Sequence, residues 1–306
     1  MSTEQINERF ADLETWSSLD LVKAFHEDQL AAVAAVEPAL PAIADAADAA
    51  AARLVDTGRL ADTGRLIYVG AGTSGRIGAQ DGVELVPTFN WPQERLLFLL
   101  AGGEDSALKA VEGAEDSTED GQWNILKAGV NECDVVIGLA ASGTTPFTVA
   151  AIKYAALLGA MTIGVANNAG SPLLAACTHP ILMETGAEAI AGSTRMKAGT
   201  AQKVFCNLFS TLVMVRLGRV YRGLMVDMRA SNDKLRRRAA RIVAQLTDCD
   251  PARAETVLQQ AKGDVKLAVM VASDYPREQA QDLLLRHGGN LRAALADGPP
   301  RLEMAS

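Results

Sequence analysis

The sequence predicts an α/β protein with a five-stranded parallel sheet flanked by helices, followed by a small C-terminal all-helical module. Three observations predict this architecture. Five short apolar segments alternate with helical patterns, glycine-rich turns directly follow two of these segments, and the tail contains two similar helical units. Buried strands that alternate with helices are typical of βαβ units, whose strands run parallel and are covered on both faces.

The 306 residues are expected to divide into three regions, since this length fits one large domain with a smaller appendage. Residues 1–64 form an N-terminal helical segment that packs on the main domain, because leucines and alanines recur at three- and four-residue spacing between Leu19 and Leu60. Residues 65–239 form the main domain, and residues 240–306 form the helical module.

The predicted strands are 65–69, 96–100, 135–139, 162–165 and 180–183. The predicted helices are 75–85, 118–128, 146–158 and 171–176, followed by longer helices at 194–217 and 231–246. Within the tail, a pattern of helix, glycine turn and helix begins at Pro251 and again at Pro276. This module resembles ubiquitin-associated-type helical bundles. We expect it to pack on the main domain or on a partner subunit; a separate recognition function is the alternative.

Composition and charge exclude several classes of protein. A net charge of −8 argues against a nucleic-acid surface, although a local pocket can still bind a small anion. The one basic run, Lys234 to Arg238, is expected to be a solvated or subunit-facing helix surface. The four cysteines and three histidines are scattered, which excludes a disulfide framework or a zinc site. A polar start and the lack of a long apolar run predict a cytoplasmic protein without a membrane partner.

The first chemical signal is the loop at residues 70–75, Gly-Ala-Gly-Thr-Ser-Gly, which lies between a strand and a helix. Its spacing matches the dinucleotide-binding fingerprint. However, such a site needs an acidic residue about 20 positions further on, and the second strand ends too late, near Glu104. Amides at a helix N-terminus also bind a phosphate monoester. The residues predicted to do so are Gly72, Thr73 and Ser74.

A second loop of the same kind covers residues 140–146, Ala-Ala-Ser-Gly-Thr-Thr-Pro. Loops at the carboxyl ends of two parallel strands can converge on one crevice where the strand order reverses. Pro146 suits the first turn of the following helix, where its missing N–H has no cost. The loop adds four predicted phosphate-binding residues, Ser142, Gly143, Thr144 and Thr145. The alternative is that both loops are tight turns without a ligand.

Acidic residues follow the first and the second predicted strands. Glu84 lies on the helix after the first loop, between Val83 and Leu85, so partial burial is expected to raise its pKa. Glu112, Glu115 and Asp116 follow the second strand. Taken singly, each of these acids is more often a solvated surface charge, but their position after strand ends makes them candidate acids and bases.

The segment from Gly192 to Lys203 opens a long helix with hydroxyls and cations in its first turn. Cations oppose the dipole at a helix N-terminus, so we expect an anionic ligand or a partner carboxylate nearby. Ser193 and Lys197 are therefore candidate substrate-binding residues. Glu188 is expected either to supply the carboxylate or to contact the substrate.

These segments together resemble the N-acetylmuramic acid 6-phosphate etherase family, whose main domain is a sugar-isomerase (SIS) domain. The resemblance runs from Thr3-Glu4 through the tail repeat, and its most specific segments are 69–76, 101–104, 110–117, 140–143 and 192–203. One departure is Thr144, where the family often has arginine, a change that would weaken a phosphate contact there.

The resemblance implies a flavodoxin-like sheet and a homodimer with its active site near the subunit interface, and neither a cofactor nor a metal. It also implies a small phosphosugar substrate. The implied lyase reaction cleaves the lactyl ether of N-acetylmuramic acid 6-phosphate during recycling of murein sugars, with Glu84 as general acid and Glu115 as base. The alternatives are a phosphosugar isomerase and a non-catalytic sensor similar to glucokinase regulatory protein. An NAD-dependent dehydrogenase is a more remote alternative.

Overall fold

The computed structural model describes residues 2–55, 63–109, 111–228 and 232–298. The chain folds into two compact units: the first contains Met1–Leu54, Gly58–Val83 and Glu94–Leu212, and the second contains Val55–Thr57, Glu84–Gln93 and Val213–Ser306. Several predicted features fall outside the described residues. These are the helical residues 56–62, Ala110 of the segment 110–117, Ser231 at a predicted helix start, and the end of the module after residue 298.

The first unit contains a five-stranded parallel sheet with the order β2-β1-β3-β4-β5. Its strands are β1 (Leu66–Gly70), β2 (Leu96–Leu100), β3 (Val135–Leu139), β4 (Met161–Ala166) and β5 (His179–Leu182). The order reverses between β1 and β3, which is the flavodoxin-like arrangement. Every residue of β1, β3 and β4 is buried, as expected where helices cover both faces. The structure thus confirms the predicted α/β fold with its parallel five-stranded sheet.

Seven helices begin in the described residues of the first unit. They are α1 (Ser18–Ala34), α2 (Leu40–Arg53), α3 (Gly72–Phe89), α4 (Thr118–Lys127), α5 (Pro146–Leu157), α6 (Pro172–Ala176) and α7 (Lys197–Arg216). Three of them start at different residues than the sequence predicts. The helix α6 begins at Pro172 instead of Ser171. The helix α3 begins at Gly72 instead of Gly75, so Thr73 and Ser74 lie in its first turn. The helix α7 begins at Lys197 instead of Thr194, because Thr194 lies in a turn.

The core of the first unit joins β1 and β3 to α5, with Ile67, Val136, Phe147 and Ile152 all fully buried. Burial of each such side chain contributes about 1.5–3 kcal/mol relative to exposure. At the start of these strands, the Arg65 guanidinium bonds both oxygens of Asp134, with Nε–Oδ1 at 3.0 Å and Nη2–Oδ2 at 2.6 Å. This paired contact joins the start of β1 to the start of β3, and the strand register pairs Gly70 with Leu139 at their ends.

The segment Ser18–Arg53 is long and apolar enough, by length and composition, to cross a membrane. In the structure it consists of two helices, α1 with 17 residues and α2 with 14. They are separated by a turn that contains Pro38, and each is shorter than the roughly 20 residues that a transmembrane helix needs. Protein packing accounts for part of the apolar content, because Ala32, Ile43 and Ala46 are buried.

The second unit contains a short antiparallel hairpin of β6 (Val220–Tyr221) and β7 (Leu224–Met225). Sequence periodicity could not predict it, because two-residue strands are too short to show an alternating pattern. Five helices follow: α8 (Asp233–Thr247), α9 (Pro251–Gln260), α10 (Val265–Ala272), α11 (Arg277–Arg286) and α12 (Leu291–Ala296). The pairs α9–α10 and α11–α12 coincide with the two units of the sequence repeat.

The basic run lies on α8, where Arg237 and Arg241 are exposed while Ala239 and Val243 on the opposite face are buried. The helix therefore presents a charged face to solvent and an apolar face to the core of the second unit. Asp264 and Asn290 cap α10 and α12 in the same manner, each accepting the N–H three residues later. The second helices of the two repeat units thus have equivalent caps.

Candidate active site

A cleft of about 390 Å³ opens in the first unit at the carboxyl ends of β1 and β3. These strands are neighbours where the strand order reverses, which is the usual ligand position in open α/β sheets. The cleft is lined by Glu4, Ala71, Gly72, Thr73, Ser74, Glu115, Asp116, Ala140, Ala141, Ser142, Thr144, Thr145, Pro146, Gly192 and Thr194. Both predicted loops therefore line the same cavity.

The first loop passes directly into α3, whose first turn carries Thr73 and Ser74. The first four N–H groups of any α-helix lack partners within the helix. The first regular helical bond of α3 runs from the N–H of Gly75 to the carbonyl oxygen of Ala71 at 3.1 Å. The remaining amides, the two hydroxyls and the positive end of the helix dipole make this edge of the cleft suitable for an oxyanion.

The second loop turns sharply at Gly143, where φ is +70°. A Cβ atom at this position would lie 2.2 Å from Oγ of Ser171, so only glycine fits without displacement. The hydroxyl of Ser142 accepts the N–H of Thr144 at 3.1 Å. Thr145 precedes α5 but makes no side-chain hydrogen bond to its first turn. A second helix N-terminus with neighbouring hydroxyls therefore faces the cleft.

Glu115 lies in the 3-10 turn Ala114–Asp116, just before α4, with its carboxylate exposed to the cleft. Arg76 of α3 holds the preceding loop, since its Nε donates to the carbonyl oxygen of Ser106 at 3.1 Å. Glu112 is also exposed, but it does not line the cleft. Of the glutamates in the predicted acidic cluster, the structure therefore brings Glu115 to the two loops.

Glu84 lies on an exposed face of α3 and is not one of the residues that line the cleft. The partial burial expected from its neighbours is wrong. Leu85 is buried, whereas Glu84 is exposed and Val83 is 56% exposed. Adjacent residues on a helix point in directions about 100° apart, so one buried neighbour does not bury the next side chain.

Four more predicted residues lie outside the cleft lining, namely Gly143, Glu188, Ser193 and Lys197. The buried carboxylate of Glu188 accepts the backbone N–H groups of Lys197 and Ala198, so it supplies the carboxylate at the helix start. The side chain of Lys197 is also buried, with Nζ 3.9 Å from Oδ2 of Asp28. Ser193 is half-buried, and it is the next residue, Thr194, that lines the cleft.

Comparison with known proteins places this site in a family. Residues 49–156 match the model of the glucokinase regulatory protein N-terminal SIS domain, and residues 114–212 match that of the SIS domain. The chain is 46% identical over 297 residues to N-acetylmuramic acid 6-phosphate etherase of Deinococcus radiodurans, covering 97% of this chain and 95% of that protein. The chain belongs to the N-acetylmuramic acid 6-phosphate etherase family.

Other similar proteins include the etherase of Erwinia tasmaniensis, 45% identical over 294 residues, with 96% of this chain and 94% of that protein covered. Among solved structures, a phosphoheptose isomerase from Francisella tularensis covers 66% of this chain and 98% of its own, with 20% identity and a TM-score of 0.47. Membership in the etherase family confirms the resemblance that the loops and the segment 192–203 indicate.

The etherase cleft also contains residues that the sequence did not single out as site residues, namely Glu4, Gly192 and Thr194. Glu4 and Gly192 are far apart in sequence, and only the folded N-terminus brings them together. An acidic residue near a chain start carries no periodic or motif signal. Thr194 is next to the predicted Ser193 and lies in the turn before α7.

A buried polar network fixes α3 in this etherase-family domain. The hydroxyl of Tyr68 donates to Oδ2 of Asp81 at 2.7 Å, and that of Ser210 donates to Oδ1 at 3.2 Å. Burial raises the pKa of the Asp81 carboxyl above its ordinary value, although both hydrogen bonds oppose this effect. The network joins β1, α3 and α7. In the described part of the chain, no group of three or more His, Cys, Asp or Glu side chains is arranged to hold a metal ion.

Proposed function

We propose that this chain is an N-acetylmuramic acid 6-phosphate etherase, a carbon–oxygen lyase of murein sugar recycling. The products are N-acetylglucosamine 6-phosphate and D-lactate. One observation carries the proposal: Glu115 and two hydroxyl-bearing helix N-termini open into the same cleft. Its volume of about 390 Å³ lies within the range of small-molecule sites.

The phosphate of the substrate binds at the two helix N-termini. Thr73 and Ser74 on one side, and Ser142 and Thr145 on the other, supply hydroxyl donors next to backbone amides. This arrangement suits a compact phosphate monoester, which can receive donors from both sides. The sugar then extends toward Glu115 at the other part of the lining.

The reaction proceeds by elimination followed by addition of water. The open-chain aldehyde makes the proton on carbon 2 acidic, and the Glu115 carboxylate removes it. The electrons of that C–H bond form a double bond between carbons 2 and 3 as the C3–O bond to lactate breaks. The Glu84 carboxyl protonates the departing lactyl oxygen. Water then adds at carbon 3 while carbon 2 regains a proton. Each acid or base is worth about 10²- to 10⁴-fold in rate.

In this proposal the general acid, Glu84, is supplied to each site by a second copy of the chain. Glu84 is exposed and does not line the cleft of its own chain. The first unit also carries exposed apolar side chains on α1, at three-, eight- and three-residue intervals: Leu19, Val22, Leu30 and Val33. An exposed apolar stripe at helical spacing is typical of a subunit contact. The proposed enzyme is therefore a homodimer with its site near the subunit interface, and we place it in the cytoplasm. Light scattering in solution tests whether the protein is a dimer.

The direct test is to incubate the protein with N-acetylmuramic acid 6-phosphate and to measure D-lactate. In H₂¹⁸O the hydroxyl on carbon 3 of the product should carry the label, and in D₂O carbon 2 should carry deuterium. Glu84→Gln and Glu115→Gln should each lower kcat about 100-fold or more. Glu112→Gln is the matched control, because this glutamate lies three residues from Glu115 but outside the cleft.

Two outcomes would replace the proposal. Interconversion of aldose and ketose phosphosugars without lactate would identify an isomerase. Tight phosphosugar binding without turnover would identify a sensor. Unchanged lactate release in both glutamine variants would instead overturn the assignment of the two acids.

A further inference from the structure

We propose that Glu4 is a further substrate-binding residue, whose carboxylate accepts a hydrogen bond from a hydroxyl or amide N–H of the bound sugar. The inference rests on the proposed phosphosugar function and adds a specificity-determining residue to the site. Glu4 lines the cleft together with Glu115 and the two loops. It reaches this position at the end of a segment, Ser2–Glu4, which we call the N-terminal strap.

The strap is anchored to the second loop through Asn168, a buried residue just after β4. Its Oδ1 accepts hydrogen bonds from the Ser2 hydroxyl at 3.0 Å and from the Thr3 N–H at 3.4 Å. Its Nδ2 donates to Oγ1 of Thr3 and to the carbonyl oxygen of Ala141, both at 3.0 Å. Because Thr3 is fully buried and Ala141 precedes Ser142, one amide side chain couples the strap to the phosphate loop.

A second set of contacts holds the strap against the opposite part of the lining. The N–H of Gly192 donates to the carbonyl oxygen of Thr3 at 3.3 Å. Gly192 has a φ of +76°, and a Cβ atom there would lie 3.0 Å from Oε2 of Glu4. The glycine thus leaves room for the carboxylate. Further along, Phe10 packs in a buried cluster with Ala24 and Ala189, which fixes the chain after the strap.

The chemistry of the cleft determines what Glu4 recognises. An ionised carboxylate only accepts hydrogen bonds, so its partner must be a donor. A dianionic phosphate has no donor to offer and is repelled by a like charge. The helix N-termini bind the phosphate, whereas the hydroxyls and the acetamido N–H of the sugar are donors. Glu4 therefore contacts the sugar and distinguishes phosphosugars by their donor groups.

The test compares Glu4→Gln with Glu8→Gln, a matched control in the same exposed N-terminal segment that does not line the cleft. Binding of N-acetylglucosamine 6-phosphate is measured by calorimetry, together with KM and kcat for the proposed substrate. Hydrogen bonds to charged groups are worth more than neutral ones, so Glu4→Gln should weaken sugar binding about 10- to 100-fold. The loss should appear in KM more than in kcat, and Glu8→Gln should change neither.

Inorganic phosphate separates this role from a merely structural one. Its affinity should not fall in Glu4→Gln, because the contact is made by the sugar and loss of the carboxylate removes a repulsion of the phosphate. An equal loss for phosphate and phosphosugar would overturn the inference. So would sugar binding in Glu4→Gln that equals that of Glu8→Gln.

Glucose 6-phosphate identifies the donor, since it carries a hydroxyl where N-acetylglucosamine 6-phosphate carries an acetamido group. A loss confined to the acetamido sugar identifies the amide N–H, and an equal loss for both sugars identifies a hydroxyl; either result supports the inference. Calorimetry needs no turnover. Absence of lactate release by the unmodified protein would therefore overturn the proposed reaction while the role of Glu4 is still measured.

Discussion

The buried carboxylate of Glu188 accepts the backbone N–H of Lys197 at 2.9 Å, across nine positions of sequence. Its other oxygen accepts the N–H of Ala198 at 3.0 Å. The contact satisfies two donors that a helix start leaves without partners and places negative charge at the positive end of the dipole of α7. The loop between these residues includes Gly192 and Thr194 of the cleft. Glu188 does not line the cleft, but its two hydrogen bonds hold the end of the loop that does.

Replacing Glu188 with alanine should lower the free energy of unfolding by about 3 kcal/mol, because two buried N–H groups would lose a charged acceptor. Urea denaturation measures the change. Glu184→Ala is the matched control, since this glutamate is exposed on the preceding segment. Equal unfolding midpoints for the two variants would contradict a capping role.

A second prediction concerns the free energy of unfolding when Gly143 is replaced by alanine. Gly143→Ala combines a left-handed backbone with a Cβ atom 2.2 Å from Oγ of Ser171, and it should cost about 2–4 kcal/mol. Gly170→Ala is the control, because φ is +66° there but no atom lies within 4 Å of the added Cβ. The control should lose only about 1 kcal/mol. Thermal unfolding compares the two, and similar losses would show that the loop can relax around the added methyl group.

The buried carboxyl of Asp81 predicts a pH dependence of stability. Because burial raises its pKa above the ordinary 3.8, its neutral form is favoured in the folded state. Its stabilising contribution is fully present below the pKa of the unfolded chain and is lost as pH rises through the higher folded pKa. Asn is neutral at every pH and can still pair with Tyr68 and Ser210. The stability of the unmodified protein relative to Asp81→Asn should therefore fall as pH rises above 3.8.

Urea titrations at a series of pH values from 4 to 8 measure this difference. Glu14→Gln, at an exposed carboxyl, is measured in parallel as a control for replacing a carboxyl by an amide. A constant difference for Asp81→Asn would mean that burial of Asp81 does not favour its neutral form.

Subunit mixing tests whether the two proposed acids come from different chains. A dimer of Glu84→Gln with Glu115→Gln would contain one site with both glutamates and one site with neither. After subunit exchange, random pairing should restore about a quarter of the unmodified activity, by the symmetry of a two-fold dimer. Mixing Glu84→Gln with the double variant should restore nothing. If the first mixture also stays inactive, the two acids of a site belong to one chain.

Much of the first unit was predictable because its signals are local. The five apolar segments, the glycine turns after β1 and β3, and Pro146 at a helix start each depend on residues within a few positions of one another. Parallel strands place their carboxyl ends at one sheet edge, so the meeting of the two loops followed from the same patterns. The start of α7 could not be predicted in this way, because its cap comes from Glu188, nine residues earlier.

The sequence by itself determined the α/β architecture, the etherase family and the two helix N-termini that meet in the cleft, since periodicity and turn chemistry are encoded within short windows. Only the tertiary structure decided which acids face that cleft. It left Glu84 exposed, buried the carboxylate of Glu188 at the start of α7, and placed the carboxylate of Glu4 in the cleft beside Gly192. The reason is physical: the direction of a side chain depends on contacts between segments far apart in sequence, and these contacts exist only after the chain has folded.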